Sequence, residues 1–394
     1  MKSKKILRVT LPALAALLTA CAAGTDAPKP NPALATTSVQ AEMPNSDTKP
    51  VTIEPDKPVV EESQIIDLKI HAASLENNML GENTEQGIAV YLPVGYELSD
   101  KKYPVLYYLP GYGDSYFTFL TIFKGILDED DIDSMIVVSV NGNNKFDGSF
   151  YTNSPVTGNW EDFVTKDVIA YVDANYRTIP ESSGRGIAGH SMGGYGVISI
   201  VMNNPNLFDY AYSMSPGLFD EEGLSESPLN FKVVEKRIEQ YAEMTGEEAA
   251  ADWLERSGKQ SWPNNFSFSY GCTFAPDVDG KAPYIMLPDK DENDKFIQDD
   301  VWKMYDAGYG GLRERVEASG ENLKELKKLV IEYGIFDGFK WIPKGCEYFS
   351  ELLTESGIAH ELIPFEGGHE DIINIRLRTC VVPFFAETFG EVAG

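Results

Sequence analysis

Strand-like segments alternate with helical segments along most of this chain, and this alternation constrains the fold more than any other feature. The segment 161–176 repeats apolar residues every three or four positions, as an amphipathic helix does. Short runs rich in β-branched and aromatic residues predict strands at 87–92, 103–109, 132–140, 184–190, 210–214, 328–333 and 360–364. Because strands separated by helices pair in parallel through right-handed crossovers, we expect an α/β fold with a mostly parallel central sheet flanked by helices.

Residues 217–326 interrupt the alternation. They contain predicted helices at 231–244, 247–257 and 299–319, with a polar, aromatic-rich loop between the second and third. Since connections within a domain are usually shorter than about 15 residues, this stretch predicts a large, mainly helical cap insertion. Its aromatic residues either line a cleft or, as is commoner for any single residue, pack the insertion onto the sheet; they are Trp253, Trp262, Phe266, Phe268, Tyr270 and Phe274.

The N-terminus has the order of an export signal. Basic residues precede a short apolar run that is too short to span a bilayer, and Leu18-Thr19-Ala20-Cys21 follows. These last four residues resemble the lipobox of bacterial lipoproteins, which implies a signal peptide at 1–20, acylation of Cys21 and a cell-envelope location. Because Ala22 is not Asp, the resemblance implies the outer membrane if the cell is Gram-negative. An ordinary secretory signal with an incidental cysteine is the alternative. Residues 21–62 are expected to form a flexible tether, and residues 63–394 the folded domain with its cap insertion.

The acidic composition excludes some partners. With 33 Lys and Arg against 61 Asp and Glu, the formal net charge is −28. Phosphate neutralisation needs clustered basic residues, so we expect no nucleic-acid partner. The same charge disfavours docking of the protein surface on an anionic bilayer, so the membrane contact is expected through the lipid anchor.

Cysteine and acidic spacing indicate neither a metal site nor a cofactor. Cys272, Cys346 and Cys380 allow at most one internal disulfide, and Cys346 with Cys380 is one possible pair. The segment 289–300 imitates a calcium-binding EF-hand loop, but Asp294 stands where the turn requires Gly. A solvated acidic loop is the better interpretation.

The strongest chemical signal is Gly189-His190-Ser191-Met192-Gly193, between a predicted strand and a predicted helix. In this G-x-S-x-G setting the serine occupies a sharp strand-to-helix turn that exposes its hydroxyl above the sheet. The turn also directs the Met192 amide and the helix N-terminus toward the space beside the hydroxyl. Ser191 is therefore the predicted nucleophile, and the Met192 amide is one predicted oxyanion donor.

A serine hydroxyl needs a base and an orienting acid to act as a nucleophile, and after a G-x-S-x-G turn both follow the serine in chain order. His369 lies in a Gly-rich loop between the last predicted strand and helix, and is the predicted base. Asp337 follows the predicted strand 328–333 and is the preferred acid, while Glu332 lies within that strand and is the competitor. The second oxyanion donor is expected from the backbone amide of Tyr112, in the turn after strand 103–109.

Four segments together resemble the putative esterase family, which groups esterase D, feruloyl and acetylxylan esterases of carbohydrate esterase family 1, and mycolyl transferases. They are VYLPVGYELSDKKYPVLYYLPGYGDS, WEDFVTKDVIAYVDANYRTI, GIAGHSMGGYGV and GGH. The resemblance implies an α/β-hydrolase fold and acyl transfer through Ser191, Asp337 and His369. The chain departs from many members at Pro110, where they have His or Asp, and in its long insertion.

These observations lead us to expect a serine hydrolase that cleaves small-molecule or carbohydrate esters through an acyl-enzyme. One alternative is an acyltransferase that moves the acyl group to a sugar or lipid alcohol. A second is a binding lipoprotein that has kept the fold without catalysis.

Overall fold

The computed structural model describes residues 62–393 except 130, 131, 133 and 134. The predicted signal peptide, Cys21 and all but the last residue of the predicted tether lie outside the described residues. The described residues fall within one compact unit of the chain.

An eight-stranded mixed sheet forms the centre of this unit, in the order β1-β2-β4-β3-β7-β8-β9-β10. The strands, with a separate two-stranded ribbon formed by β5 and β6, are β1 (Gln64–His71), β2 (Glu85–Leu92), β3 (Val105–Leu109), β4 (Ile136–Val140), β5 (Asn153–Ser154), β6 (Gly158–Asn159), β7 (Arg185–His190), β8 (Tyr210–Met214), β9 (Lys328–Gly334) and β10 (Glu361–Phe365). Within the eight-stranded sheet the β1–β2 and β2–β4 pairs are antiparallel, and the other pairs are parallel. The predicted α/β fold with a mostly parallel sheet is confirmed.

Helices cover both faces of the sheet. They are α1 (Tyr116–Glu129), α2 (Trp160–Asp162), α3 (Ile169–Asn175), α4 (Met192–Asn203), α5 (Gly223–Glu226), α6 (Phe231–Ala242), α7 (Gly246–Arg256), α8 (Trp262–Phe274), α9 (Asp300–Tyr309), α10 (Leu312–Leu323), α11 (Trp341–Glu355), α12 (Ile373–Arg376) and α13 (Val382–Ala393). A π-helical segment, Phe163–Val168, joins α2 to α3, and a second, Leu377–Val381, joins α12 to α13.

Each face of the sheet has its own hydrophobic core, because successive side chains of a strand point in opposite directions. In β3, Tyr107 packs into the core that contains α3, α4 and the insertion helices. Tyr108, the next residue, packs into the core that contains α1 and α13. The central strands β3, β4, β7 and β8 are therefore buried on both sides, which explains why they are rich in apolar residues.

Between β8 and β9 the structure differs from the sequence prediction in two places. The expected aromatic-rich loop contains α8, whose residues are buried almost all round, so the segment has no amphipathic periodicity to reveal a helix. The helix expected at 299–319 is two helices, because the chain turns at Gly310 and Gly311, and Gly311 has a left-handed φ of 58°. Strand β1, the β5–β6 ribbon and the helices α1 and α5 were not predicted either.

The parallel strands bring their carboxyl ends to one edge of the sheet. The loops that follow β3, β7, β9 and β10 therefore meet there, although they are far apart in sequence. In open α/β sheets this edge is where ligands bind.

The described cysteines do not form the disulfide considered from the sequence. Cys272, Cys346 and Cys380 are all free thiols, and the first two are buried. No group of three or more metal-binding side chains occurs in the described part of the chain. Within residues 62–393, apart from the four gaps, no helix has the length and apolar character needed to cross a membrane.

Candidate active site

Ser191 occupies the turn between β7 and α4 in a strained backbone conformation. Its φ is 56° and its ψ is −114°, values that a side-chain-bearing residue rarely adopts and that typically cost about 1–3 kcal/mol. Two hydrogen bonds hold the turn: the Ser191 amide donates to the Met214 carbonyl at 2.9 Å, and the Gly217 amide donates to the Ser191 carbonyl at 3.2 Å. The adjacent strand β8 thus fixes the hydroxyl at the edge of the sheet.

Close backbone contacts explain the second glycine that flanks this turn. A Cβ atom on Gly193 would lie 1.8 Å from the Leu109 carbonyl oxygen, a distance that no side chain tolerates. The absence of a side chain therefore lets α4 start directly against the end of β3. This contact brings Ser191 beside the loop that follows β3.

Three predicted residues meet in a chain of hydrogen bonds. His369 Nε2 lies 2.9 Å from Ser191 Oγ, and His369 Nδ1 lies 2.7 Å from Asp337 Oδ2. The Asp337 side chain is fully buried, and its Oδ1 accepts the Phe339 amide at 2.7 Å. Because a carboxylate only accepts hydrogen bonds, Nδ1 carries the imidazole proton. Nε2 is then free to accept the proton of the Ser191 hydroxyl.

Glu332, the competing acid, contacts different groups. It is buried within β9, where it accepts a hydrogen bond from the Tyr212 hydroxyl at 2.7 Å and pairs with Arg376 at 2.5 Å. Two other histidines, His71 and His360, lie away from this site. His71 pairs with exposed glutamates at the sheet edge, and His360 contacts Ser350.

Tyr112 and Met192, the predicted oxyanion donors, belong to two segments that meet at Ser191. Met192 is the first residue of α4, so its amide has no acceptor within the helix. Tyr112 follows β3, which pairs in parallel with β7. Gly111, Tyr112 and Ser191 line the same cleft. The two amides come from the segments that supply an oxyanion hole in this kind of turn.

The ring of His190 contacts the backbone of His369, the candidate base, and this role of His190 was not predicted from the sequence. His190 Nε2 lies 2.8 Å from the His369 carbonyl oxygen, so the neutral ring donates its proton there. Burial lowers the pKa of His190 to about 3, and the nearby His369 lowers it as well. His190 therefore stays neutral at physiological pH and adds no second positive charge beside His369.

Aromatic rings form the walls of the cleft above Ser191. They come from the insertion and from the loop after Asp337, and they are Trp262, Phe266, Tyr309, Phe339 and Trp341. Of the insertion aromatics considered from the sequence, Trp262 and Phe266 line this cleft, and Trp253, Phe268 and Tyr270 are buried in the core. The Phe339 ring also packs edge-on against the His369 ring at 5.0 Å between centroids.

Two acidic side chains also line the cleft. Asp114 is half-buried and accepts the Gly111 amide at 3.1 Å, while Glu370 is exposed beside His369. Burial raises the pKa of the Asp114 carboxyl, and the Glu370 carboxylate raises it further. The cleft therefore combines apolar walls with negative charge.

The EF-hand-like segment uses its carboxylates within its own loop. Asp291 Oδ1 accepts the Asn293 and Lys295 amides, and Asp294 pairs with Lys290 at 2.7 Å. Asp299 accepts the Trp302 amide at 2.8 Å and so caps α9. These bonds are those of a turn and a helix cap.

Part of this chain is similar in sequence to known esterases. Residues 80–266 match the family described as "putative esterase", so the predicted resemblance is confirmed. Over 117 residues the chain is 36% identical to an esterase of Mycobacterium tuberculosis, recorded from two strains. This match covers 28% of the chain, and the chain spans about a quarter (25%) of the length of these curated relatives.

Two solved structures share the fold. A ferulic acid esterase is 18% identical with a TM-score of 0.51, and the match covers 83% of this chain and 99% of that one. An S-formylglutathione hydrolase from Agrobacterium tumefaciens is 15% identical with a TM-score of 0.52, and the match covers 86% and 99%. The chain has the α/β-hydrolase fold.

Proposed function

From the match of residues 80–266 to the putative esterase family and from the α/β-hydrolase fold, we propose that the protein hydrolyses carboxylic esters. Ser191 is the nucleophile, His369 the general base and Asp337 the orienting acid. The observation that carries this proposal is the continuous hydrogen-bond chain from the Ser191 hydroxyl through His369 to the buried Asp337.

The first half of the reaction acylates Ser191. His369 Nε2 takes the hydroxyl proton as Ser191 Oγ bonds to the ester carbonyl carbon, and the carbonyl oxygen becomes an oxyanion. The amides of Tyr112 and Met192 donate hydrogen bonds to this oxyanion. Asp337 stabilises the imidazolium. When the carbon–oxygen bond to the alcohol breaks, the imidazolium gives its proton to the leaving alcohol, and the acyl group stays on Ser191.

The second half releases the acid by the same groups. Water gives a proton to His369 as its oxygen attacks the acyl carbon, and a second oxyanion forms at the same amides. The oxyanion then collapses, the bond to Ser191 Oγ breaks, and the proton returns from His369 to Ser191. In other enzymes, the loss of one oxyanion donor costs about 3–4 kcal/mol of transition-state stabilisation.

The cleft chemistry supports small, neutral esters as substrates. Aromatic walls favour apolar acyl groups, because burial of such surface is worth about 25 cal/mol per Å². The carboxyl groups of Asp114 and Glu370 disfavour anionic groups nearby and can bond hydroxyl groups. An acylated carbohydrate meets both conditions, so we propose acylated carbohydrates and other small acyl esters as the substrate class.

Labelling with a fluorophosphonate probe tests the proposed nucleophile. The probe should form one covalent adduct on the peptide that contains Ser191, because only a serine with an adjacent base attacks it readily. Ser191→Ala should abolish labelling, and Ser225→Ala, which removes an exposed serine in α5, should leave labelling intact. Labelling that persists in Ser191→Ala would contradict the proposal.

We also propose that the protein is exported and anchored to the cell envelope by lipid on Cys21, through which it meets the membrane. The lipobox-like residues support this. Cys21→Ser should move the protein from the membrane fraction to the soluble fraction, and unchanged membrane retention would contradict the anchor.

A further inference from the structure

We propose that α8, a helix of the insertion, positions the oxyanion hole, and that Asn265 is a positioning residue for the Tyr112 amide, acting through Asp147. This inference rests on the proposed function, since it assumes that the Tyr112 amide contacts the oxyanion. It assigns the insertion a task in the reaction besides covering the cleft.

The loop that carries the Tyr112 amide is held by the segment 143–151. The Gly113 amide donates to the Asp147 carbonyl at 2.7 Å, and the Tyr112 hydroxyl donates to the Phe146 carbonyl. Within the loop, the Gly111 amide donates to the Asp114 carboxyl.

Two further bonds to this loop come from the same neighbouring segment. The Tyr151 hydroxyl donates to the Pro110 carbonyl at 3.0 Å, and Asn143 Nδ2 donates to the Asp114 carbonyl at 2.9 Å. The position of the Tyr112 amide therefore depends on where residues 143–151 lie.

Residues 147–151 adopt a conformation that needs outside support. Asp147, Phe150 and Tyr151 have φ values of 69°, 56° and 48°, although none of them is glycine. A left-handed conformation typically costs about 1–3 kcal/mol for a non-glycine residue that does not readily adopt it, and it persists only where surrounding contacts hold it. Since three such residues occur within five positions, contacts from other parts of the protein must hold this loop in place.

Helix α8 supplies those contacts. Asn265 Nδ2 donates to Asp147 Oδ2 at 2.8 Å, and the Ser269 hydroxyl donates to the Gly148 carbonyl. The Phe266 ring, on the same helix, packs against the rings of Tyr112 at 5.3 Å and Phe150 at 5.5 Å between centroids. The helix thus holds both the supporting loop and the residue whose amide is the proposed donor.

The buried side-chain amide of Asn265 does not favour the stability of the folded protein. Only 1% of the residue is exposed, and its Oδ1 atom is buried with no hydrogen-bond partner among the described residues. An unsatisfied buried amide oxygen costs about 1–3 kcal/mol, so an apolar residue of similar shape would serve folding as well. The bond from its Nδ2 to Asp147 is the contact that such a residue would lose.

The test compares Asn265→Leu with wild type in p-nitrophenyl acetate hydrolysis, with kcat expressed per fluorophosphonate-titrated active site. We expect kcat to fall about tenfold while KM stays within about twofold, because the oxyanion contact acts in the transition state. The melting temperature should not fall, because the variant also removes the unsatisfied Oδ1 atom of Asn265. The midpoint of the pH–rate profile should not fall either, because the Ser191–His369 pair is untouched. A structural role alone would lower the melting temperature and leave kcat per active site unchanged.

A reciprocal exchange tests the Asn265–Asp147 pair itself. Asn265→Asp opposes two carboxylates and should reduce kcat more than Asn265→Leu does. Adding Asp147→Asn restores an amide–carboxylate bond, and Asn tolerates the left-handed conformation at 147. The double variant should be about tenfold faster than Asn265→Asp alone. This comparison decides the matter if Asn265→Leu does not fold.

Ser154→Ala is the matched control. It removes another buried hydrogen bond to α8, from the Ser154 hydroxyl to the Cys272 carbonyl at 2.8 Å, without touching the oxyanion loop. Its kcat should equal that of wild type.

If Ser191→Ala is inactive but Asn265→Leu retains the wild-type kcat, or if the double variant shows no recovery, the inference is wrong and the proposed function stands. Activity in Ser191→Ala would instead contradict the proposed function.

Discussion

At the residue scale, the site depends on side chains that hold backbone as much as on those proposed to react. Ser191 keeps a strained φ of 56° because its amide and carbonyl are bonded to Met214 and Gly217. His190, its neighbour, donates to the His369 carbonyl across 179 positions of sequence. The proposed nucleophile and base are thus joined by a structural contact as well as by the bond between their own side chains.

The buried His190 predicts a specific loss of stability in acid. Its pKa is about 3 in the folded protein and about 6.5 in the unfolded chain, so the unfolded state binds an extra proton between these values. Stability should therefore fall as pH falls through this window. His190→Gln lacks this titration, and the wild-type protein should lose about 2–3 kcal/mol more than the variant between about pH 7 and pH 4.5.

Urea unfolding of both proteins at the two pH values measures this difference. The comparison with the variant subtracts the titration of the many carboxylates that both proteins share. Equal losses in the two proteins would mean that His190 titrates normally in the folded state, which contradicts its buried, neutral role.

Much of the site could be predicted at this scale, and the reason is topological. A serine in G-x-S-x-G after one strand, an acid after a later strand and a histidine after the last strand reach the same edge of a parallel sheet. The structure brings Ser191, Asp337 and His369 together as that rule requires. The contact from His190 to the His369 backbone has no sequence signature, because any residue supplies a carbonyl.

At the scale of elements, a buried ion pair ties the last helical segment to the sheet. Glu332 of β9 is fully buried and pairs with Arg376 of α12 at 2.5 Å, with Tyr212 of β8 as a second partner. The loop that carries His369 lies between β10 and α12. The ion pair therefore fixes the far end of that loop.

Arg376→Met should destabilise the protein by about 3–5 kcal/mol, because it leaves the Glu332 carboxylate buried without its cation. The double variant Glu332→Met with Arg376→Met should recover most of this loss, since it removes both charges. Chemical denaturation of the two variants and wild type measures the free energies of unfolding. A single variant within about 0.5 kcal/mol of wild type would show that the pair contributes little.

Elements were predictable where their periodicity was clear. The helix at 161–176 and the buried strands had such patterns, and the structure contains them with shifts of a few residues. Helix α8 was missed because its apolar and small polar residues are buried on nearly every side. Its polar residues form hydrogen bonds with the loop at 144–148. These bonds could not be predicted from the sequence, because they depend on how residues 217–326 pack against the rest of the fold.

At the scale of the whole molecule, the insertion and the sheet each supply one part of the cleft. The sheet edge carries the proposed nucleophile, acid, base and oxyanion amides, while the insertion supplies aromatic walls and the helix that supports the oxyanion loop. The net charge of −28 and the two cleft carboxyl groups agree with neutral substrates. The sequence could predict that residues 217–326 interrupt the strand–helix alternation, but not which of their rings face the cleft, because that depends on tertiary packing.

Hydrolysis of p-nitrophenyl acetate by wild type and by Ser191→Ala tests whether Ser191 is the nucleophile of an ester hydrolase. We expect the wild-type protein to release p-nitrophenol and the variant, with unchanged melting temperature, to be slower by at least about a thousandfold. A folded Ser191→Ala protein that hydrolyses the ester at the wild-type rate would contradict this assignment.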